Sequence, residues 1–400
     1  MRSPMTKSLA AGMLAAASLA AGAQTLLTQI PLASFSGDYS DVDVAVNSAT
    51  NRIYVPIQFN DFYNGGYNYF RVFVIDGATN QIVHKLEDFP GGNFYWGVAI
   101  DPVRNFTYVE MGNYLPDEDQ YTQCTVSVVD GRTEETVKTI SLPAGDCGKM
   151  VVDPVTGKVY VRAHSELDVI ESEATGSIKT FSLPTTSVYN DIYGNGLAVS
   201  PYIHRLYFTY NTNGGPPEYL GFFDTLAEQI TKEMLIDAPI DYFGTNPVIN
   251  PATGHIFGIY QESDYDTGIN NEWGAVYDSS GRPLATINFP GVKSPILDDI
   301  TGTDVDPKKN LTFVSAFTET QSSGGKDTGT ALYVIDGVSN TVSSSTTGTV
   351  VSPTNEPQGG KVAVNPDTSK VYVTYCDNMV ITNPDSSVDG TFYLNVYSEQ

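Results

Sequence analysis

Residues 363–373 read AVNPDTSKVYV, and the same pattern stands at six other places. These are AVNSATNRIYV (45–55), AIDPVRNFTYV (99–109), VVDPVTGKVYV (151–161), AVSPYIHRLYF (198–208), VINPATGHIFG (248–258) and DVDPKKNLTFV (304–314). Each copy is a β-hairpin in outline. A short apolar strand enters a turn preset by Asn or Asp followed by Pro, and a second strand returns with apolar residues around an aromatic one. With Ser48, Pro102, Pro154, Pro201, Pro251, Pro307 and Pro366 as anchors, successive copies lie 54, 52, 47, 50, 56 and 59 residues apart. A period near 50 is the length of one four-stranded propeller blade, so seven copies predict an all-β, seven-bladed β-propeller.

Two positions in the repeat carry physical demands. The third residue after the anchor must tolerate positive φ, and that slot holds Asn51, Asn105, Gly157, His204, Gly254, Asn310 and Ser369. Five of the seven are Asn or Gly, which enter the left-handed region most cheaply. The aromatic residue of the returning strand, Tyr54, Tyr108, Tyr160, Tyr207, Phe257, Phe313 or Tyr372, suits packing between adjacent blades. A third strand follows in each unit, as in Val72-Phe73-Val74-Ile75 or Leu167-Asp168-Val169-Ile170. Most end on an acidic turn residue, among them Asp76, Asp130, Asp224, Asp278 and Asp336. A fourth strand runs outward, except in the seventh unit, where the sequence stops at Gln400. Residues 25–33 have the fourth-strand pattern and are expected beside 391–398, closing the ring and removing its open sheet edges.

The repeat resembles that of the YVTN-type β-propeller family, whose Tyr-Val-Thr-Asn strand is matched most closely by Tyr372-Val373-Thr374-Tyr375. The likeness runs through Asn/Asp-Pro-x-Thr-Gly/Asn-Lys/Arg-x-Tyr-Val and the following Val-x-Val-Ile-Asp. Blades four and five depart most, with Tyr207-Phe208 and Phe257-Gly258. The resemblance implies a seven-bladed ring in exported bacterial or archaeal proteins and no single chemistry, because propellers host binding, oxidoreductase, lyase and lactonase functions alike.

The N-terminus itself reads as a secretory signal. Arg2 and Lys7 precede an apolar run from Leu9 to Ala20, and Ala21-Gly22-Ala23 presents small residues for cleavage before Gln24. Residues 1–23 are therefore expected to be removed, leaving 24–400 as one propeller domain, secreted or periplasmic and monomeric. That compartment is oxidising. Cys124 and Cys147 fall on the same end of neighbouring blades and are expected to pair, with Cys376 left over. No later run approaches the roughly 20 apolar residues that a membrane helix needs. A net charge of -25 argues against nucleic acid and against insertion at an anionic membrane surface.

Few residues suggest chemistry. The four histidines, His84, His164, His204 and His255, are scattered over different blades, and no Cys-x-x-Cys pair occurs. Acidic clusters at 117–119, 262–266 and 298–306 leave calcium open as a ligand, although none has EF-hand spacing and no cofactor is otherwise expected. Loop length is more informative. Long segments at 60–69, 110–121, 211–219, 260–273 and 317–330 all fall on one end of the ring, while the other end keeps turns of two to four residues. Aromatics crowd the long-segment end, and they read either as caps on the blade cores or as the walls of a ligand site. Five residues before each anchor stand Asp43, Gly97, Lys149, Gly196, Asn246, Gly302 and Lys361, and the two lysines would make a local positive spot in an acidic chain. The residues expected to bind a ligand are Tyr95, Trp96, Lys149, Tyr193, Tyr242 and Lys361. Their arrangement points to a module that engages a small molecule, glycan or protein at the channel mouth, without assigned catalysis; the alternative is a propeller enzyme of lactonase or lyase type.

Overall fold

The computed structural model describes residues 24–37, 42–59, 69–87, 89, 94–115, 120–143, 147–163, 166–172, 176–183, 196–211, 218–235, 242–243, 247–264, 269–289, 300–322, 325–347, 360–381 and 388–399. These residues form seven antiparallel sheets, each of four strands except that of blade five, which has five. The innermost strands are Ala45–Asn47, Phe94–Asp101, Lys149–Val152, Leu197–Ser200, Val248–Ile249, Ile300–Asp306 and Val362–Asn365. Each touches the next, and the seventh touches the first. The result is a closed seven-bladed propeller.

The N-terminal strand closes it. Thr25–Gly37 runs antiparallel to Val388–Ser398 and becomes the outer strand of blade seven, outside Lys370–Ile381 and Val362–Asn365. The pairing continues past 25–33 to Gly37, which faces Val388. The long segments also differ from irregular loops. In blades two, five, six and seven the second and third strands keep their ladder far beyond the ring, as in Leu311–Ser322 against Gly325–Asp336. Backbone groups that leave the ring there satisfy one another, so a long excursion stays regular.

The hairpin turns follow from local chemistry. The residue before the anchor closes an Asx turn: the amides of Val103, Val155, Ala252, Lys308 and Asp367 donate to the side chains of Asp101, Asp153, Asn250, Asp306 and Asn365. Three residues after the anchor, all seven predicted slots have positive φ, from 53° at His204 and Ser369 to 77° at Gly157. The repeat aromatic then turns into the seam with the following blade. Tyr54 packs between blades one and two, Tyr108 between two and three, and so on round to Tyr372 between seven and one. Burial of each such ring contributes roughly 1.5–3 kcal/mol.

Adjacent blades are also joined by paired asparagines. Asn47 Nδ2 donates to Asn105 Oδ1 of the next blade at 2.7 Å, Asn250 to Asn310 at 2.5 Å, and Asn365 to Asn51 at 2.8 Å. In each acceptor blade the third strand ends in Asp-Gly, and a Cβ on that Gly (Gly131, Gly337 or Gly77) would meet the Asn Oδ1 at 2.3–2.4 Å. Where Asp precedes the anchor, at Asp101, Asp153 and Asp306, the next blade carries Gly157, His204 or Ser369 instead. A carboxylate has no proton to donate there, and the paired acceptor is gone as well.

Cys124 and Cys147 form a disulfide that ties blade two to the lead-in of blade three, whereas Cys376 is buried in the seam between blades seven and one. Deleting residues 25–33 from the secreted chain should expose the edge of Val388–Ser398, lowering the melting temperature and promoting self-association. Light scattering and a thermal melt check this, and a monomer with an unchanged transition would contradict it.

Candidate functional site

The entrance of each inner strand pairs with the eighth residue after the anchor on the second strand. Gly97 faces Glu110, Lys149 faces Arg162 and Gly302 faces Ser315 in the ladders. Backbone bonds from Asp43 to Pro56, Thr209 to Gly196 and Thr374 to Lys361 place three further pairs at the same level. The side chains here latch one blade to the next. Glu110 accepts from the Gly148 amide of blade three, Arg162 donates to the Thr209 carbonyl of blade four, and Ser315 donates to the Gly360 carbonyl of blade seven.

The rim above this belt is uneven. In blade six the ladder runs from Ser315 on to Ser322, about 24 Å further at the usual strand rise. In blade three the second strand stops at Ala163, one residue past Arg162. Among the described residues, the second strand of blade three extends least beyond the belt, and Lys149 stands exposed there.

In the seam between blades two and three, two carboxyl groups are buried, one of them, Glu110, within electrostatic reach of Lys149. Glu110 is fully buried, and its Oε2 has no hydrogen-bond partner. Burial pushes its carboxyl up to about 8, against the pull of the Gly148 amide and the Lys149 charge and with reinforcement from Asp168. At neutral pH Glu110 is therefore largely a protonated acid with a donor to offer. Asp168, 1% exposed, is also raised by burial; Thr180 donates to its Oδ1, while its Oδ2 has no partner. Gly97, opposite Glu110, carries no side chain that would lie against Oε2, and even a Cβ there would sit 3.7 Å away.

The expected ligand-binding residues are distributed over several seams. Trp96 belongs to this one. It is the bulged residue between Tyr95 and Gly97, and its half-buried ring packs on the core of blades two and three. Bulges re-aim side chains in this way. Its indole nitrogen lies over Gly112 beside the Cys124–Cys147 bridge. Tyr95 is buried one seam away, between blades one and two, where its hydroxyl donates to Asp43 at 2.9 Å and its amide to Gln58 at 2.7 Å. Lys361 is half-buried at blade seven, its amide bonded to Thr374, beside a small cavity lined by Ser315, Gly360, Thr374 and Asn395. Tyr242 pairs with Gln261 in blade five, and Tyr193 lies outside the described residues. Trp96 thus lies in the seam of blades two and three, Tyr95 and Lys361 lie at other seams, and Lys149 shares a strand face with Arg162, alternating with the Met150 that faces the seam of Trp96.

Of the acidic clusters, Asp304 accepts from the amides of Val305 and Val364, and burial raises its carboxyl to about 6 despite both bonds. Residues 117–119 and 298–299 lie outside the described residues. Among the described residues, no group of three His, Cys, Asp or Glu side chains could hold a metal ion, and no helix is long and apolar enough to cross a membrane.

No protein-family model matches this chain, and no curated protein is similar to it in sequence. Its fold is found in a chain of "Kuenenia stuttgartiensis Hydrazine Synthase", with a TM-score of 0.56 and 14% identity over 83% of this chain and 91% of that one. The likeness is one of fold.

Glu110 gives the seam a pH signature. Its folded pKa lies above the ordinary value of 4.5, so the folded state keeps a proton that the unfolded chain releases, and stability falls as pH rises from about 4.5 to about 8. Glu110→Gln should leave the melting temperature near wild type at about pH 5 and raise it increasingly toward about pH 8. Melts across that range read the effect. A difference that does not vary with pH would show that Glu110 does not titrate this way.

Proposed function

We propose that this protein is a secreted or periplasmic binding propeller that takes an anionic or carbonyl-bearing ligand at the seam between blades two and three. One observation carries the reading: the bulged Trp96 packs in the seam where the protonated acid Glu110 is buried, and the exposed Lys149 at the entrance of blade three lies within electrostatic reach of that acid. Lysine attracts the negative end of such a ligand, the indole supplies a flat apolar wall, and a neutral carboxyl donates a hydrogen bond to an oxygen. Ordering long hairpins costs conformational entropy that a stable ring does not require, which supports function at this end. The buried Cys124–Cys147 disulfide, the signal-like N-terminus and the YVTN-like repeat support export.

The lactonase or lyase reading draws on one observation, the buried Glu110 and Asp168 in the same seam. An acid held near neutrality suits proton transfer. Both readings use the same residues and differ in whether the ligand is changed.

A thermal-shift screen of small carboxylates, sugar acids and lactones should find a ligand that raises the melting temperature with the logarithm of its excess over Kd. Trp96→Ala and Lys149→Ala should abolish that shift without unfolding the protein, while His204→Ala and His255→Ala, on the short-turn end, should leave it intact. The reverse pattern moves the site to the other end. Turnover of a lactone by wild type but not by Glu110→Gln would favour the enzyme.

A further inference from the structure

Gln24 follows Ala21-Gly22-Ala23 and, in the chain that still carries residues 1–23, is 3% exposed. Its carbonyl accepts from Thr346 Oγ1 at 3.1 Å and its side-chain Oε1 from Ser344 Oγ at 3.3 Å. Both partners lie on Thr341–Thr347, the outer strand of blade six, whereas the next residue, Thr25, begins the closing strand of blade seven. Gln24 therefore spans the two blades beside the point of closure. One of its groups is unsatisfied, for Nε2 is buried without a hydrogen-bond partner.

We infer that processing after Ala23 leaves Gln24 as the first residue and that this glutamine closes to a pyroglutamyl ring seated against blade six. An open N-terminus would bring an ammonium group to a residue whose carbonyl and side chain are both held on blade six, and seating an unpaired charge there is costly wherever water is excluded. The orphan Nε2 donor adds a second penalty. One reaction removes both. The α-nitrogen, as the free amine, attacks the side-chain Cδ; the N–Cδ bond forms, the Cδ–Nε2 bond breaks, and Nε2 leaves as ammonia with a proton from the amine. No oxidant, reductant or cofactor takes part. The product is a neutral five-membered lactam whose ring carbonyl is the former Oε1, so an acceptor for Ser344 is kept, and the carbonyl bound by Thr346 is untouched. Asparagine lacks the methylene needed to close this ring, so the chemistry is particular to glutamine at this position.

The test uses the full-length chain, exported by its own leader and purified from the oxidising compartment. Intact-mass analysis should give residues 24–400 with one disulfide, lighter by one ammonia, and N-terminal sequencing should be blocked. Pyroglutamyl peptidase should unblock the denatured protein, exposing Thr25, but act far more slowly on the folded one. Gln24→Ala should be cleaved at the same bond, show an open N-terminus and melt at a lower temperature. A first residue other than Gln24, an open Gln24 that persists on incubation, or equal unblocking of folded and denatured protein would each overturn the inference.

Discussion

Everything in this fold passes through one left-handed residue per blade, the one just before each second strand. Its φ between 53° and 77° reverses the chain within a few residues, which is what allows the innermost strands to pack around an axis. An asparagine there does a second job. It accepts from the blade before it, and it lies so close to the following Asp-Gly turn that only glycine fits. Local backbone geometry and inter-blade registry are set by the same side chain. That coupling accounts for the joint occurrence of three separate features, at Asn47, Asn105 and Gly131, at Asn250, Asn310 and Gly337, and at Asn365, Asn51 and Gly77.

The consequence is a division between the two ends of the ring. At the short-turn end the polar groups are engaged with one another: Asx turns cap the hairpins, and Lys158, Lys179, Glu171 and Glu228 form a four-member ion cluster across blades three and four. The third-strand turns follow suit. Amide donors hold Asp76, Asp224 and Asp336 below the ordinary carboxylate value, and the Ser280 hydroxyl does the same for Asp278. Those aspartates stabilise the fold above about pH 4, a benefit lost as the pH falls. At the opposite end the equivalent belt varies from blade to blade, reading Pro56, Glu110, Arg162, Thr209, Ile259, Ser315 and Thr374. Variation in an otherwise regular repeat leaves room for specific chemistry, and the two carboxyls of blades two and three are buried at that level.

Much of the scaffold was legible in the sequence because the repeat averages over seven trials. Even where His204 and Ser369 replace the usual Asn or Gly, the slot predicted positive φ and the structure has it. The aromatic positions, the closing strand and the Cys124–Cys147 bridge were legible for the same reason, since each follows from register. The candidate site was less so. Asp168 stands inside an apolar third strand and Glu110 between Val109 and Met111, and a lone charge in such a run is the available signal. Its meaning depends on which neighbouring blade it faces, which no single repeat records. Tyr95 shows the converse, since a tyrosine next to the bulge reads as a channel residue until its hydroxyl is found on Asp43. The long segments likewise gave away their length but not their regularity, because polar sequences such as Thr318-Glu319-Thr320-Gln321 lack the apolar alternation of a packed strand.

The central claim, that the left-handed asparagine locks neighbouring blades as well as forming its own turn, is tested most directly by a double-mutant cycle on Asn47 and Asn105. Asn47→Ala removes the donor and Asn105→Gly removes the acceptor while keeping the turn's backbone freedom, so turn effects cancel in the cycle. The account predicts a coupling of about 1 kcal/mol in unfolding free energy, the size of one buried hydrogen bond. Additive single effects, with coupling below about 0.3 kcal/mol, would contradict it.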